Sequence, residues 1–280
     1  MIGQNQEKLK PLLQAVPPGF LVDSGWLKER GITRQLSSSY VSSGWMKRVL
    51  QGAVSEAFLV VPCPHTEREW KIPVLSAQWI MRYTFHVGGT TALAQHCFTH
   101  YLRLSGPGPL YVYGDVPRWL GKLRLDARYV HRQDSLVGDK TLGVNDTEFS
   151  LSSADDTSLG QRPWQWPMRL SSPERAIIEA IDELPTNESF HAIDVVFEGL
   201  ANLRPKLLTQ LLERCRSVKT KRLFFVFADK HAHAWRKHID MPRIDLGAGD
   251  RALVEGGRLH PLYRITVPQE FVPQEASDGP

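Results

Sequence analysis

Residues 20–52 read FLVDSGWLKERGITRQLSSSYVSSGWMKRVLQG, and the fold turns on them. An apolar run with polar residues spaced along it, Phe20 to Arg30, predicts a helix that ends at Gly31. Thr33 then suits an N-cap, because its hydroxyl can accept one of the unpaired N–H groups of a first helical turn. A short second helix follows, over about Arg34 to Ser43. Gly44–Trp45 closes it. The basic extended piece Met46 to Gly52 pairs with Val54–Leu59 as a wing turning near Gln51–Gly52. Helix, glycine-containing turn, helix and hairpin, in that order, is the layout of a winged helix-turn-helix.

At 100° per residue, Leu36 and Tyr40 of the second helix are expected to face the core. Arg34, Gln35, Ser38 and Ser42 fall on the opposite side, with Ser39 near them. Small hydroxyl residues let a helix lie deep in a major groove, while Arg and Gln can make bidentate contacts to guanine and adenine. Thr33, Arg34, Gln35, Ser38, Ser39 and Ser42 are therefore candidate DNA-reading positions. Lys47 and Arg48 stand where a wing meets backbone phosphate. A solvated helix face is the plain alternative.

Outward from this stretch, the chain has 280 residues, enough for about two domains. No apolar run is long enough to span a membrane, and the start MIGQNQEKLK has no apolar signal region, so a cytoplasmic protein is expected. Cys63, Cys97 and Cys215 are odd in number and far apart, which suits reduced thiols rather than a disulfide framework. The net charge of +4 is uneven. Residues 1–60 carry seven Lys/Arg against four acids, and residues 204–243 carry eleven against three. Such basic regions point to an anionic partner or to solvated helix faces. Residues 133–160 hold six acids against Lys140 and read as a surface excursion.

Upstream, Leu9, Leu12, Leu13 and Val16 predict a first helix stopped by Pro17–Pro18–Gly19. Downstream, Ile72 to Phe85 and Thr91 to Leu102 read as helices, and Leu110–Tyr113 and Ala127–His131 as strands. Ser172–Pro173–Glu174 is a sharp helix start, and further helices are expected around Phe190–Leu200, from Pro205, and over Ser217–Asp229. Strands are expected at Arg243–Leu246, Ala252–Val254 and Tyr263–Val267. The class is mixed α/β: an N-terminal winged helix-turn-helix followed by a mixed α/β C-terminal domain.

Motifs for chemistry are sparse. Gly88–Gly89–Thr90–Thr91 before a helix could cradle a phosphate or simply cap. His96 and His100 have metal-compatible spacing without a third ligand, and His231, His233 and His238 form a basic patch beside Trp235. Asp182, Glu183 and Asp194 with Lys219 and Lys221 would make a metal-dependent nuclease site if the fold brought them to one point. On motifs alone the chain reads as a binding protein, with no catalytic residue, metal or cofactor assigned.

Several phrases, in shared order, resemble AbiEi-type antitoxins of type IV toxin–antitoxin systems. These are VDSGWLKERGITRQLSSSYVSSGWMKRVLQGAV, HVGGTTALAQHCFTHYL, LSSPERAIIEAIDELP, ESFHAIDVVFEGLANLRPKLLTQLLERCRSVKTKRLF, IDLGAGDR and GGRLHPLYRITVP, together covering about residues 5–268. Val54 departs from the aromatic expected after the wing turn. The resemblance implies a non-enzymatic protein that binds inverted repeats of operator DNA and represses its own operon. It also implies opposition to a nucleotidyltransferase toxin, without a stable complex between the two. On this reading residues 1–92 are the DNA-binding region and 93–280 the antitoxin domain. The basic Lys219, Lys221 and Arg222 are candidates for nucleic-acid or toxin-target contact. The competing readings are a DNA-directed, metal-dependent nuclease and a plain winged-helix transcription factor with a sensing domain.

Overall fold

The structure, a computed structural model, describes residues 2–51, 56–63, 68–98, 107–145 and 166–273. The expected wing tip, Val54, His100 and most of the acidic stretch (146–160) lie outside these residues. The chain forms two compact units: 1–87 with 105–132 and 146–169, and 88–104 with 133–145 and 170–280.

The first unit opens with α1 (Ile2–Ala15), which buries Leu12, and Val16 just after it is buried too. The helix expected over Phe20–Arg30 is instead a strand and a helix, β1 (Leu21–Asp23) and α2 (Ser24–Glu29). The cause is Asp23. As an N-cap its backbone is extended (φ −99°, ψ 170°), so nothing before it can continue the helix. Next come α3 (Arg34–Ser42), β2 (Met46–Leu50) and β3 (Ala57–Val60). The sheet order is β1–β3–β2, all antiparallel, with Val22 opposite Phe58 and Lys47 opposite Leu59. The register slips between Arg48 and Leu50, at the far end of β2.

The helix expected over Ile72–Phe85 is shorter. α4 (Lys71–Leu75) widens into a π-helical turn at Ser76–Ile80, and β4 (Phe85–Val87) follows. The widening coincides with Ser76, whose hydroxyl donates to the Ile72 carbonyl at 2.7 Å and accepts the Leu21 N–H at 3.0 Å. That bond ties the turn to β1. β4 pairs antiparallel with β5 (Pro109–Gly114), and β5 pairs parallel with β6 (Arg128–Arg132), as the two expected strands.

The second unit is mainly helical: α5 (Gly89–Gln95), α6 (Pro173–Asp182), α7 (Phe190–Glu198), α8 (Pro205–Arg214) and α9 (Val218–His231). Ser172, Ser189 and Ser217 cap three of them, each accepting an N–H three residues on. The Ser217–Asp229 segment is thus helical as expected. Its Leu223–Ala228 run is fully buried because it crosses the middle of the core, among Ile177, Ile181, Ile193 and Phe197. The strands expected near the end reduce to β7 (Arg258–Leu259) and β8 (Thr266–Val267), with an Arg251–Ile265 bridge. Among the described residues no helix is long and apolar enough to cross a membrane.

Candidate nucleic-acid interface

Helix α3 starts where the sequence places it. Thr33 is extended (φ −70°, ψ 164°) and its Oγ1 accepts the Leu36 N–H at 3.2 Å. The helix is rotated from expectation: Leu36 is half-buried, while Ser37 and Tyr40 are buried. A serine tolerates burial here because its hydroxyl donates to the Arg34 carbonyl at 2.9 Å.

The outward face carries Arg34, Gln35 and Ser42, all exposed, with Ser38 and Ser39 half-buried behind them. The Ser42 hydroxyl donates to the Ser38 carbonyl at 3.0 Å, which keeps the surface low and leaves its oxygen able to accept. Arg34 is 77% exposed, with Nη2 3.6 Å from Glu56 Oε1. Glu56 is buried, and that oxygen has no hydrogen-bond partner.

The two wing cations differ. Lys47 is exposed. Arg48 is half-buried, its guanidinium 5.6 Å from the Phe58 ring centre, and Nη2 donates to Ser38 Oγ at 3.3 Å. Arg48 therefore braces α3 against β2.

Behind the helix pair sits a residue that sequence reasoning missed. Asp23 Oδ1 accepts the Trp26 N–H at 2.8 Å. Its Oδ2 accepts the Tyr83 hydroxyl at 2.9 Å and Trp119 Nε1–H at 3.1 Å. Burial, and then the Asp23 carboxylate, push the Tyr83 hydroxyl well above its ordinary pKa. Trp26 in turn donates through Nε1 to the Ile80 carbonyl at 3.0 Å and stacks under Arg30 at 3.6 Å. The Asp is legible as a cap before Ser-Gly-Trp; its long-range donors are not. Trp45, which with Gly44 closes α3, is 45% exposed.

The basic surface expected at Lys219, Lys221 and Arg222 is corrected by the structure. Arg222 is buried and donates to four carbonyls: Leu246 (2.7 Å), Gly249 (2.7 Å), Arg264 (2.8 Å) and Gly247 (3.1 Å). Burial lowers its pKa. Lys221 is buried, and Lys219 Nζ donates to the Asp182 and Leu184 carbonyls at the end of α6, at 2.5 and 3.0 Å. A lysine there satisfies orphan carbonyls of a helix end.

The nuclease constellation does not assemble. Asp182 accepts from Thr220 at 2.6 Å and Glu183 from Asn187 at 2.7 Å. Asp194 is taken by Lys230 and His231 at 2.6 and 2.8 Å. Among the described residues no group of three His, Cys, Asp or Glu could hold a metal ion. At the Gly88–Gly89 turn the cradled anion is the protein's own, since Gly89 N–H donates to buried Glu179 Oε2 at 3.0 Å. Two acids of the 133–160 stretch serve structure. Asp134 pairs with buried Arg175 at 2.5 Å, and Asp139 is held below its usual pKa by hydrogen bonds from Thr141.

The order α1–β1–α2–α3–β2–β3, with α3 exposed beside a two-stranded wing, defines the N-terminal part as a winged helix-turn-helix. Two sequence profiles then divide almost the whole chain between them. "Transcriptional regulator, AbiEi antitoxin N-terminal domain" matches residues 5–104, and "Transcriptional regulator, AbiEi antitoxin, Type IV TA system" matches residues 110–268. The chain belongs to the AbiEi family of antitoxins and transcriptional regulators of type IV toxin–antitoxin systems, which is not a family of enzymes. No curated protein matches the chain. Its fold is similar to the crystal structure of the RV2827C protein from Mycobacterium tuberculosis (TM-score 0.54, 13% identity, covering 94% of this chain and 90% of that one).

Proposed function

We propose that the winged domain binds inverted repeats in the operator of its own operon and represses it. The rest of the chain, from residue 93, opposes a nucleotidyltransferase toxin without holding it in a stable complex. The supporting observation is the outward face of α3. Arg34 and Gln35 stand exposed at its N-terminal end, with small hydroxyls at Ser38, Ser39 and Ser42 behind them. In this reading Arg34 and Gln35 read base edges, Thr33 sets the helix start, and Lys47 holds phosphate. Arg48 fixes the angle between α3 and the wing. Both jobs suit a cytoplasmic protein that needs neither metal nor cofactor.

The test is equilibrium binding of the full chain to promoter and scrambled duplexes. Arg34→Ala should cost about 1–3 kcal/mol on the promoter and relax sequence preference. Lys47→Ala should weaken both duplexes alike and flatten the salt slope by about 0.9. If both variants bind promoter DNA as the parent does, α3 is not the reading helix.

A further inference from the structure

The winged face is not the only cationic surface of the first unit. Between β5 and β6 the chain reads Pro117-Arg118-Trp119-Leu120-Gly121-Lys122-Leu123-Arg124-Leu125-Asp126-Ala127-Arg128. From Lys122 onward exposure alternates: Lys122, Arg124, Asp126 and Arg128 are exposed, and Leu123, Leu125 and Ala127 are half-buried. Lys122 ends a 3-10 turn and the chain then bends at Leu123 and at Asp126–Ala127 before β6, with Lys122, Arg124 and Arg128 exposed along it. Arg118 is exposed just before them.

None of these four side chains makes an ion pair or hydrogen bond among the described residues. In the strongly basic 204–243 stretch, six of the eleven Lys/Arg (Arg204, Lys219, Arg222, Lys230, Arg236 and Arg243) have protein partners. Asp126, the acid on the exposed side, is committed: its Oδ1 accepts the Trp70 N–H at 3.0 Å.

The segment is rigidly seated. Trp119 and Leu120 are buried, and a Cβ on Gly121 would stand 2.6 Å from Tyr129 Cε1, so the turn lies directly on β6. Its tether is specific. Trp119 Nε1–H donates to Asp23, the residue that caps α2 of the helix-turn-helix. The first helix of such a pair crosses the DNA backbone.

We propose that Arg118, Lys122, Arg124 and Arg128 form a second phosphate-binding surface, which grips duplex DNA flanking the bases read by α3 and carries no sequence preference of its own. This rests on the DNA-binding reading of the winged domain. Four exposed cations without counter-ions, hung from the cap of α2, match a polyanion that already lies along that helix pair.

The experiment compares the full chain with the triple variant Lys122→Gln, Arg124→Gln, Arg128→Gln and with Arg124→Lys/Arg128→Lys. Binding is measured between 50 and 200 mM salt on promoter and scrambled duplexes. Losing three phosphate contacts should flatten the salt slope by about 2.7, so the parent's fall in affinity over that range should exceed the variant's by roughly 40-fold. The effect should be equal on both duplexes, the hydroxyl-radical footprint should shorten on one flank, and the lysine variant should keep the parental slope. An unchanged slope and footprint, with Arg34→Ala still relaxing specificity, overturns this surface alone. In that case the cations face something other than DNA, such as an acidic protein. No DNA binding by the parent would instead sink the reading on which it rests.

Discussion

Replacing Asp23 by asparagine changes one oxygen to NH2 at a point where three donors converge. The carboxylate serves Trp26 N–H through Oδ1, and the Tyr83 hydroxyl and Trp119 Nε1–H through Oδ2. Asparagine offers a single carbonyl oxygen. Tyrosine can turn its hydroxyl to accept from the new NH2, but a backbone N–H and an indole N–H can only donate. One of them must lose its partner. Orphaning the buried indole costs about 1–3 kcal/mol, and losing the cap instead costs about 0.5–2 kcal/mol. The bonds that remain also drop from charge-assisted to neutral, about another 1 kcal/mol. Asp23→Asn should thus destabilise by about 1.5–4 kcal/mol, read from urea unfolding followed by circular dichroism. A double-mutant cycle isolates the cause, because Trp119→Phe removes the indole donor and should recover about 1–3 kcal/mol of that cost. A single variant within 0.5 kcal/mol of the parent refutes the hub. So does a cycle that is additive within the usual 0.3–0.5 kcal/mol of independent sites.

Two further outcomes follow from the second unit. Burial alone would push the Glu174 carboxyl up. The hydrogen bonds from Arg204 Nε, Nη2 and backbone N–H, each 2.9 Å, outweigh it and hold the group at about 2 rather than its ordinary 4.5. A pKa lowered on folding adds stability above the unfolded value and loses it as pH falls between the two, so acid unfolding should draw on this pair between about pH 4.5 and 2. Arg204→Met should move the acid midpoint upward, and an unmoved midpoint would deny the pair that role. Thiol chemistry gives the other: burial pushes Cys215 to about 11, while Cys97 is exposed. At pH 8 a thiol reagent should modify Cys97 promptly and reach Cys215 only on unfolding; equal rates would contradict the packing around α8.

The parts of the fold legible in sequence are those whose causes are local. Thr33, Ser172 and Ser217 announce α3, α6 and α9 because a cap and the N–H it accepts lie three residues apart. β1 is illegible within Phe20–Arg30 because it exists only by pairing with β3, Leu21 opposite Leu59. Leu36 and Ser37 exchange places because a hydroxyl can bury itself on its own helix, which a hydrophobic wheel does not foresee. The exposure of Arg34, Gln35 and Ser42 on α3 is legible because amphipathic period is one-dimensional. The charge at 219–222 was misplaced because the carbonyls that consume it come from the end of α6 and from the loop at 246–264. The lysine and arginines at 122–128 passed unnoticed for the converse reason: only the fold shows which cations have no counter-ion.

The interleaving of the two units constrains how such a gene can be reshuffled. β4 lies at residues 85–87, and its antiparallel partner β5 at 109–114, after an intervening passage through the other unit. A crossover between these strands would join β4 of one parent to β5 of another, with Phe85 required to meet a foreign Gly114 in register. At Gly114 a Cβ would approach the Thr84 carbonyl oxygen to 2.9 Å, so that position admits little besides glycine. Exchange between related genes is therefore expected to move the whole gene rather than the N-terminal third.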